Sequence, residues 1–131
     1  METNQLGSLT LAFMGDAIYE IKVREMVIKR NPALKVNELH KETIKYVKAS
    51  AQAKAVLGLF EEGYIREDDW NIVKRGRNQV SSIPKNAKVS DYRYATGFEA
   101  LIGHLYFNGE LEKIEALILR GMSIIEEASK R

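Results

Sequence analysis

Leu11-Ala12-Phe13-Met14-Gly15-Asp16-Ala17 lies within a stretch, Thr3 to Tyr19, whose only ionised side chain is Asp16. Thr96-Gly97-Phe98-Glu99-Ala100-Leu101-Ile102-Gly103 lies within a second, Tyr94 to Gly109, whose only one is Glu99. Neither alternates with the period of two that marks a half-buried strand, so both read as helices that are apolar nearly all round. A helix without a wet face is buried on several sides, by its own core or by a partner subunit.

That reading makes each carboxylate expensive, because desolvation disfavours its charged form unless it is paired, hydrogen-bonded or bound to a cation. Neither has a basic neighbour on its own helix. The positions three and four residues away are Ala12, Phe13, Tyr19 and Glu20 for Asp16, and Ala95, Thr96, Ile102 and Gly103 for Glu99. Gly15 and Ala17 beside Asp16, and Gly97, Ala100 and Gly103 beside Glu99, allow two helices to approach until the carboxylates converge. Converging like charges repel, and Mg²⁺ is the natural remedy, since it favours hard oxygen ligands and takes one or two carboxylates together with waters and substrate phosphates. The alternative is structural: two unrelated carboxylates held by Arg93, Lys22 or backbone donors elsewhere in the fold.

The rest of the chain continues the helical pattern, with no period-two alternation bounded by Asn-Gly or Asp-Gly turns and no β-branched run longer than three. The spacing predicts a first helix from Gly7 to Lys29, ending near Asn31-Pro32. A second stretch starts at Asn37 as N-cap and reaches Glu62-Gly63, with a break near Ser50. A shorter helix follows from Glu67, with Glu67, Asp68 and Asp69 in its first turn and Lys74, Arg75 and Arg77 in its last, and it frays at Gly76. Gln79 to Ser90 reads as a polar basic loop. Ser90 caps a helix from Asp91 to Asn108, which stops at Gly109, and a last amphipathic helix runs from Glu110 to Ser129. The expected fold class is all-α.

The 131 residues are 45% apolar and 29% charged, with nine Gly, two Pro and no Cys, the profile of one compact domain spanning residues 1–131. A domain of this length buries roughly 65 to 70% of its unfolded surface and needs no disulfide or structural metal. The absence of cysteine excludes thiol redox chemistry and Cys-ligated zinc. With no signal-peptide pattern and no apolar run approaching the roughly 18 residues that span a bilayer, the expected location is the cytoplasm, away from membranes.

A net charge of +2 argues for no particular partner, but its distribution does. Between Asn71 and Ser90 stand Lys74, Arg75, Arg77, Lys85 and Lys88 and no acid, which leaves the rest of the chain at −3. Such a segment, with Asn78 as a further hydrogen-bond donor, suits the phosphates of a nucleic acid, although a solvated helix end and loop has the same composition. No H-E-x-x-H, P-loop or G-x-S-x-G motif is present. His40 and His104 read as structural. Glu20, one turn after Asp16, is placed either to orient a water near the carboxylates or to pair with Arg24.

The two motifs around Asp16 and Glu99 resemble the signature and second acidic motifs of the ribonuclease III endonuclease domain. Leu39-His40-Lys41, Lys74-Arg75-Gly76-Arg77-Asn78, Pro84-Lys85-Asn86 and Tyr92-Arg93-Tyr94 resemble one branch of it, the Mini-ribonuclease III (Mini-III) proteins. The resemblance spans nearly the whole chain. It implies a dimeric all-α endonuclease fold without the double-stranded-RNA-binding domain of the longer enzymes, and Mg²⁺-dependent hydrolysis of double-stranded RNA. In this branch it implies maturation of the precursor of large-subunit (23S) ribosomal RNA, with a ribosomal protein as a candidate for presenting the RNA.

Asp16 and Glu99 then become catalytic residues and metal ligands, with Glu20 close behind them. Lys74, Arg75, Arg77, Asn78, Lys85 and Lys88 become RNA contacts, and Phe13 occupies the signature position that inserts into the partner subunit of the homodimer. Where the longer enzymes carry further carboxylates, this chain has Leu9, Ala12 and Thr96. That favours one bound Mg²⁺, or a second held mainly by RNA phosphates. A non-catalytic RNA-binding or ribosome-associated protein of the same fold is the rival reading. A helix-turn-helix over residues 37–60 is weaker, because its recognition helix would present mostly Ala and Leu.

Overall fold

The computed structural model describes residues 5–130. Among them are six α-helices and no strand: α1 (Ser8–Arg30), α2 (Val36–Val47), α3 (Ala49–Glu61), α4 (Glu67–Gln79), α5 (Val89–Phe107) and α6 (Leu111–Ser129). None is long and apolar enough to cross a membrane. The all-α expectation holds.

Helix α5 is the axle. Its residues Ala95–Phe98, Ala100–Gly103 and Leu105 are buried, and α1, α3 and α4 pack around it. Tyr19 and Val23 of α1, Leu59 of α3, Val73 of α4, Phe98 and Leu101 of α5 and Ile118 and Met122 of α6 share one apolar core. Tyr19 meets Phe98 edge to face at 5.6 Å.

The α1–α5 contact is a backbone contact. A Cβ on Gly103 would stand 2.0 Å from the carbonyl oxygen of Leu11, so only glycine fits there. Between α4 and α5 the same device recurs, since a Cβ on Gly97 would lie 2.5 Å from the carbonyl oxygen of Val73. Bare backbone at these crossings lets three helices close on the turn that carries Glu99.

Several boundaries differ from expectation, each for a local reason. Helix α1 ends at Arg30, close to the predicted stop before Pro32. Helix α2 begins at Val36 rather than after Asn37, because the Lys35 N–H donates to the Glu38 carboxylate (3.3 Å) and so caps the helix two residues earlier. The break expected near Ser50 falls at Lys48, whose backbone is extended (φ −63°, ψ 152°). Gly63 and Gly109, with φ of +86° and +73°, terminate helices as predicted.

Helix α4 does not fray at Gly76. That glycine is buried against α5, where a Cβ would come within 2.9 Å of the Ala100 Cβ, and the helix continues to Gln79. Helix α5 in turn starts at Val89 after Lys88, two residues before the predicted Asp91, so Ser90 is not its cap. The basic loop is therefore shorter than expected, covering residues 80–88.

The apolar character of α1 is explained only on one side. Leu11, Gly15, Ile18 and Tyr19 face the core, but Leu9, Phe13 and Ile21 are exposed, Phe13 to 83%. Asp16 shares that open face. The expectation that Asp16 is desolvated within the chain is thus corrected: a helix apolar all round here has one buried face and one bare one.

Candidate active site

The crossing of α1 and α5 delivers the two lone carboxylates to each other. Gly15 seats α1 directly on the backbone of Glu99, and Asp16, the next residue, approaches the Glu99 side chain closely enough to accept a hydrogen bond from its protonated form. Glu99 is half-buried while Asp16 is exposed, so the pair has one dry and one wet member. Burial, and then the negative charge of Asp16, push the Glu99 carboxyl up to about 8, which a hydrogen bond from Gln52 partly offsets.

No Lys or Arg pairs with either carboxylate among the described residues. Lys22, a structural candidate for that role, bonds Glu25 and Glu115 instead. Glu20 divides its two oxygens: Oε1 accepts from Arg24 at 3.4 Å, the predicted i,i+4 pair, while Oε2 is buried without a hydrogen-bond partner. The pairing with Arg24 expected from the sequence is therefore present, and Oε2 is left with acceptor capacity.

Two further side chains complete the surroundings, and the sequence reading missed both. Tyr19 donates its hydroxyl to the carbonyl of Tyr46 (2.8 Å), and burial together with the charge of Glu99 holds its phenol well above the ordinary range. Gln52 is only 3% exposed; its Nε2 donates to the Val47 carbonyl (2.9 Å) and to Glu99 Oε2 (3.2 Å), and its Oε1 is buried without a partner. The available signal was that Gln52 is the one polar residue in the Ala51-Gln52-Ala53 run on the buried side of α3.

This donor set suits a hard divalent cation. It consists of two converging carboxylates with no competing cation, and it offers no sulfur or imidazole. It does not enclose an ion completely. No group of three or more His, Cys, Asp or Glu side chains stands in ligating positions among the described residues, so waters or substrate oxygens must fill the remaining positions. Leu9, Ala12 and Thr96 stand without carboxylates, Thr96 bonding the Tyr92 carbonyl at 2.9 Å.

The basic residues lie on the far edge of α4 and the loop that follows it. The crossing at Gly76 and Gly97 packs α4 against α5, and Arg77 reaches Tyr94 of that helix. Arg77 is the anchored member: its guanidinium lies 5.3 Å over the Tyr94 ring, bonds the Tyr94 hydroxyl (3.2 Å) and donates to Asn78 Oδ1 (3.1 Å). Tyr94 stacks on Trp70 (6.3 Å), which in turn stacks on Phe60 (4.1 Å), forming an aromatic column beneath that arginine. Arg75, Asn78, Lys85 and Lys88 are exposed and Lys74 is half-buried, and none of the lysines or arginines of this segment forms an ion pair.

Comparison with known proteins points the same way as the geometry. Residues 9–110 match the family model described as the Ribonuclease III domain. The chain is 46% identical over 125 residues to a Mini-ribonuclease 3 of Thermoanaerobacter, covering 93% of this chain and 84% of that protein. It is 42% identical over 130 residues to a Mini-ribonuclease 3 of Clostridium tetani, covering 98% and 85%. A crystal structure of a Fusobacterium nucleatum protein superimposes with a TM-score of 0.80 at 28% identity, over 90% of this chain and 93% of that one.

Proposed function

The chain belongs to the ribonuclease III domain family, in the branch of the Mini-ribonuclease 3 proteins, and from that membership we propose that this endoribonuclease uses Mg²⁺ to cut both strands of double-stranded RNA. Its substrate in this reading is a stem of the 23S ribosomal RNA precursor, met in the cytoplasm and presented with the help of a ribosomal protein.

The observation that carries the proposal is the Asp16–Glu99 pair. A half-buried carboxyl whose ionisation is opposed by burial and by a neighbouring carboxylate, with no basic partner, imposes a cost that a protein serving only to bind RNA has no reason to retain. A cation offsets that cost. Mg²⁺ held between the two carboxylates would polarise the scissile phosphate and make a water nucleophilic at neutral pH.

The chain's own residues do the rest. Asp16 and Glu99 would hold the cation with Glu99 ionised, and Gln52 donates to Glu99 Oε2 from the side. Glu20 offers a free oxygen, Oε2, to orient a water beside the pair. Lys74, Arg75, Lys85 and Lys88 neutralise phosphates along the duplex, while Arg77 and Asn78 present donors from a fixed position on Tyr94.

Phe13 and its exposed apolar neighbours on α1 lie on the same face as Asp16. Burial of that face in a homodimer would cover a patch that a lone chain leaves wet, and would set two copies of the site on one duplex, one for each strand.

Incubating a labelled precursor stem and its separated strands with the protein, in Mg²⁺ and in EDTA, tests the proposal. The expected result is paired cuts in the duplex with Mg²⁺ only. Binding without cuts under all conditions would overturn it.

A further inference from the structure

We propose that Gln52 is a positioning residue for the metal-binding carboxylate, fixing the Glu99 side chain in its ligating orientation through the Nε2–Oε2 hydrogen bond. The inference rests on the reading of Asp16 and Glu99 as a cation site.

The local backbone explains why a glutamine is there. Where the chain turns at Lys48, the last carbonyls of α2 lose the partners a continuous helix would supply. Two side chains from other elements take them: the Tyr19 hydroxyl bonds Tyr46 O and the Gln52 amide bonds Val47 O. A cap for Val47 alone would need one N–H. Gln52 brings two, and the second goes to Glu99 Oε2.

The bond to Val47 also fixes which way the amide faces. In the flipped orientation the amide oxygen would oppose both the Val47 carbonyl and the Glu99 carboxylate, so Nε2 stands on the Glu99 side. With the amide pinned at 3% exposure, Glu99 is gripped from α3 while Asp16 meets it from α1.

The chemistry favours a neutral donor at this point. Lysine or arginine would satisfy Glu99 with a full charge and compete with a cation for it. An apolar residue would leave Oε2 without its donor and the side chain free to rotate. Glutamine holds one oxygen in place and leaves the charge of the pair for the ion, which is how groups behind metal ligands commonly act.

The test is Mn²⁺ affinity, read by electron paramagnetic resonance and calorimetry, for wild type, Gln52→Met and Glu99→Gln, with thermal melting in EDTA alongside. Gln52→Met keeps length and volume and removes both hydrogen bonds. It is expected to weaken Mn²⁺ binding about tenfold or more. A role confined to capping Val47 would lower melting and leave Mn²⁺ affinity at the wild-type value, and that result overturns the proposal.

Wild type supplies a second readout should the variant fail to fold: the Gln52 side-chain NH₂ resonances must shift on titration with Mg²⁺, and unshifted signals overturn the proposal equally. If wild type binds no Mn²⁺, or Glu99→Gln binds it as tightly as wild type, the cation site itself is wrong. If Glu99→Gln loses the ion and Gln52→Met does not, only the role of Gln52 is.

Discussion

Gly15 and Glu99 are in backbone contact so close that a methyl group added at Gly15 would lie 1.7 Å from the Glu99 carbonyl oxygen. The residue that follows Gly15 is Asp16, so the packing of two helices and the meeting of two carboxylates are one event. The site therefore exists only in the folded chain, assembled from positions far apart in sequence.

Gly15→Ala follows directly. The clash is with backbone rather than the tip of a flexible side chain, so α1 must shift off α5. The expected cost is about 3 kcal/mol, the upper end of the usual overpacking range, and a fall in melting temperature of roughly 10 °C. Calorimetry checks it, and a variant melting within a degree or two of wild type would contradict the close approach.

The metal-free protein has a pH signature. Because Glu99 titrates near 8 in the fold and near 4.5 when unfolded, the native state holds a proton that the unfolded chain has released between those values. The stabilisation from that proton is complete below pH 4.5 and is lost as pH rises through 8. In EDTA, melting should fall by about 10 °C or more between roughly pH 5 and pH 8.5, and Glu99→Gln should flatten the curve. Equal slopes for the two proteins would remove Glu99 as the cause.

Phe13 distinguishes a lone chain from a dimer. Exposed to 83% in the single chain, it adds nothing to the core whose removal could destabilise the fold. Phe13→Asp should leave helicity unchanged while weakening self-association by ~30-fold or more, as expected for a central aromatic anchor. Sedimentation measures this directly, and an unaltered association constant would mean that the open face of α1 meets something else.

Replacing Lys74, Arg75, Lys85 and Lys88 with Ala should weaken RNA binding and flatten its salt dependence, by somewhat under one unit of log–log slope for each phosphate that is no longer neutralised. Arg77 is left out of that set because its stacking on Tyr94 ties it to the fold. Filter binding across a salt series provides the slope. An unchanged slope would place the RNA on another surface.

The sequence reveals much of this fold, and the exceptions have physical causes. Long uninterrupted periodicity and the stops at Gly63 and Gly109 locate the helices, because left-handed backbone at a helix end is a local property of glycine. The small residues flanking Asp16 and Glu99 foretell the close crossing. Gly76 misleads, since a glycine that ends a helix and one that lets another helix touch it look alike in one dimension. The exposure of Asp16 is equally hidden: an apolar helix does not say which of its faces the chain itself covers. Gln52 is silent because its role depends on a kink at Lys48 and on a carboxylate 47 residues away.

The most direct test of the account is single-turnover cleavage of a duplex by Asp16→Asn and Glu99→Gln beside wild type, with RNA binding and oligomeric state measured on the same samples. Asp16 and Glu99 act on the reaction rather than on the fold if both variants bind RNA and associate as wild type does, yet cut on the order of 10³-fold more slowly, the scale of loss that follows removal of a charge-stabilising group. Normal turnover in either variant would contradict the assignment of the pair as the catalytic centre.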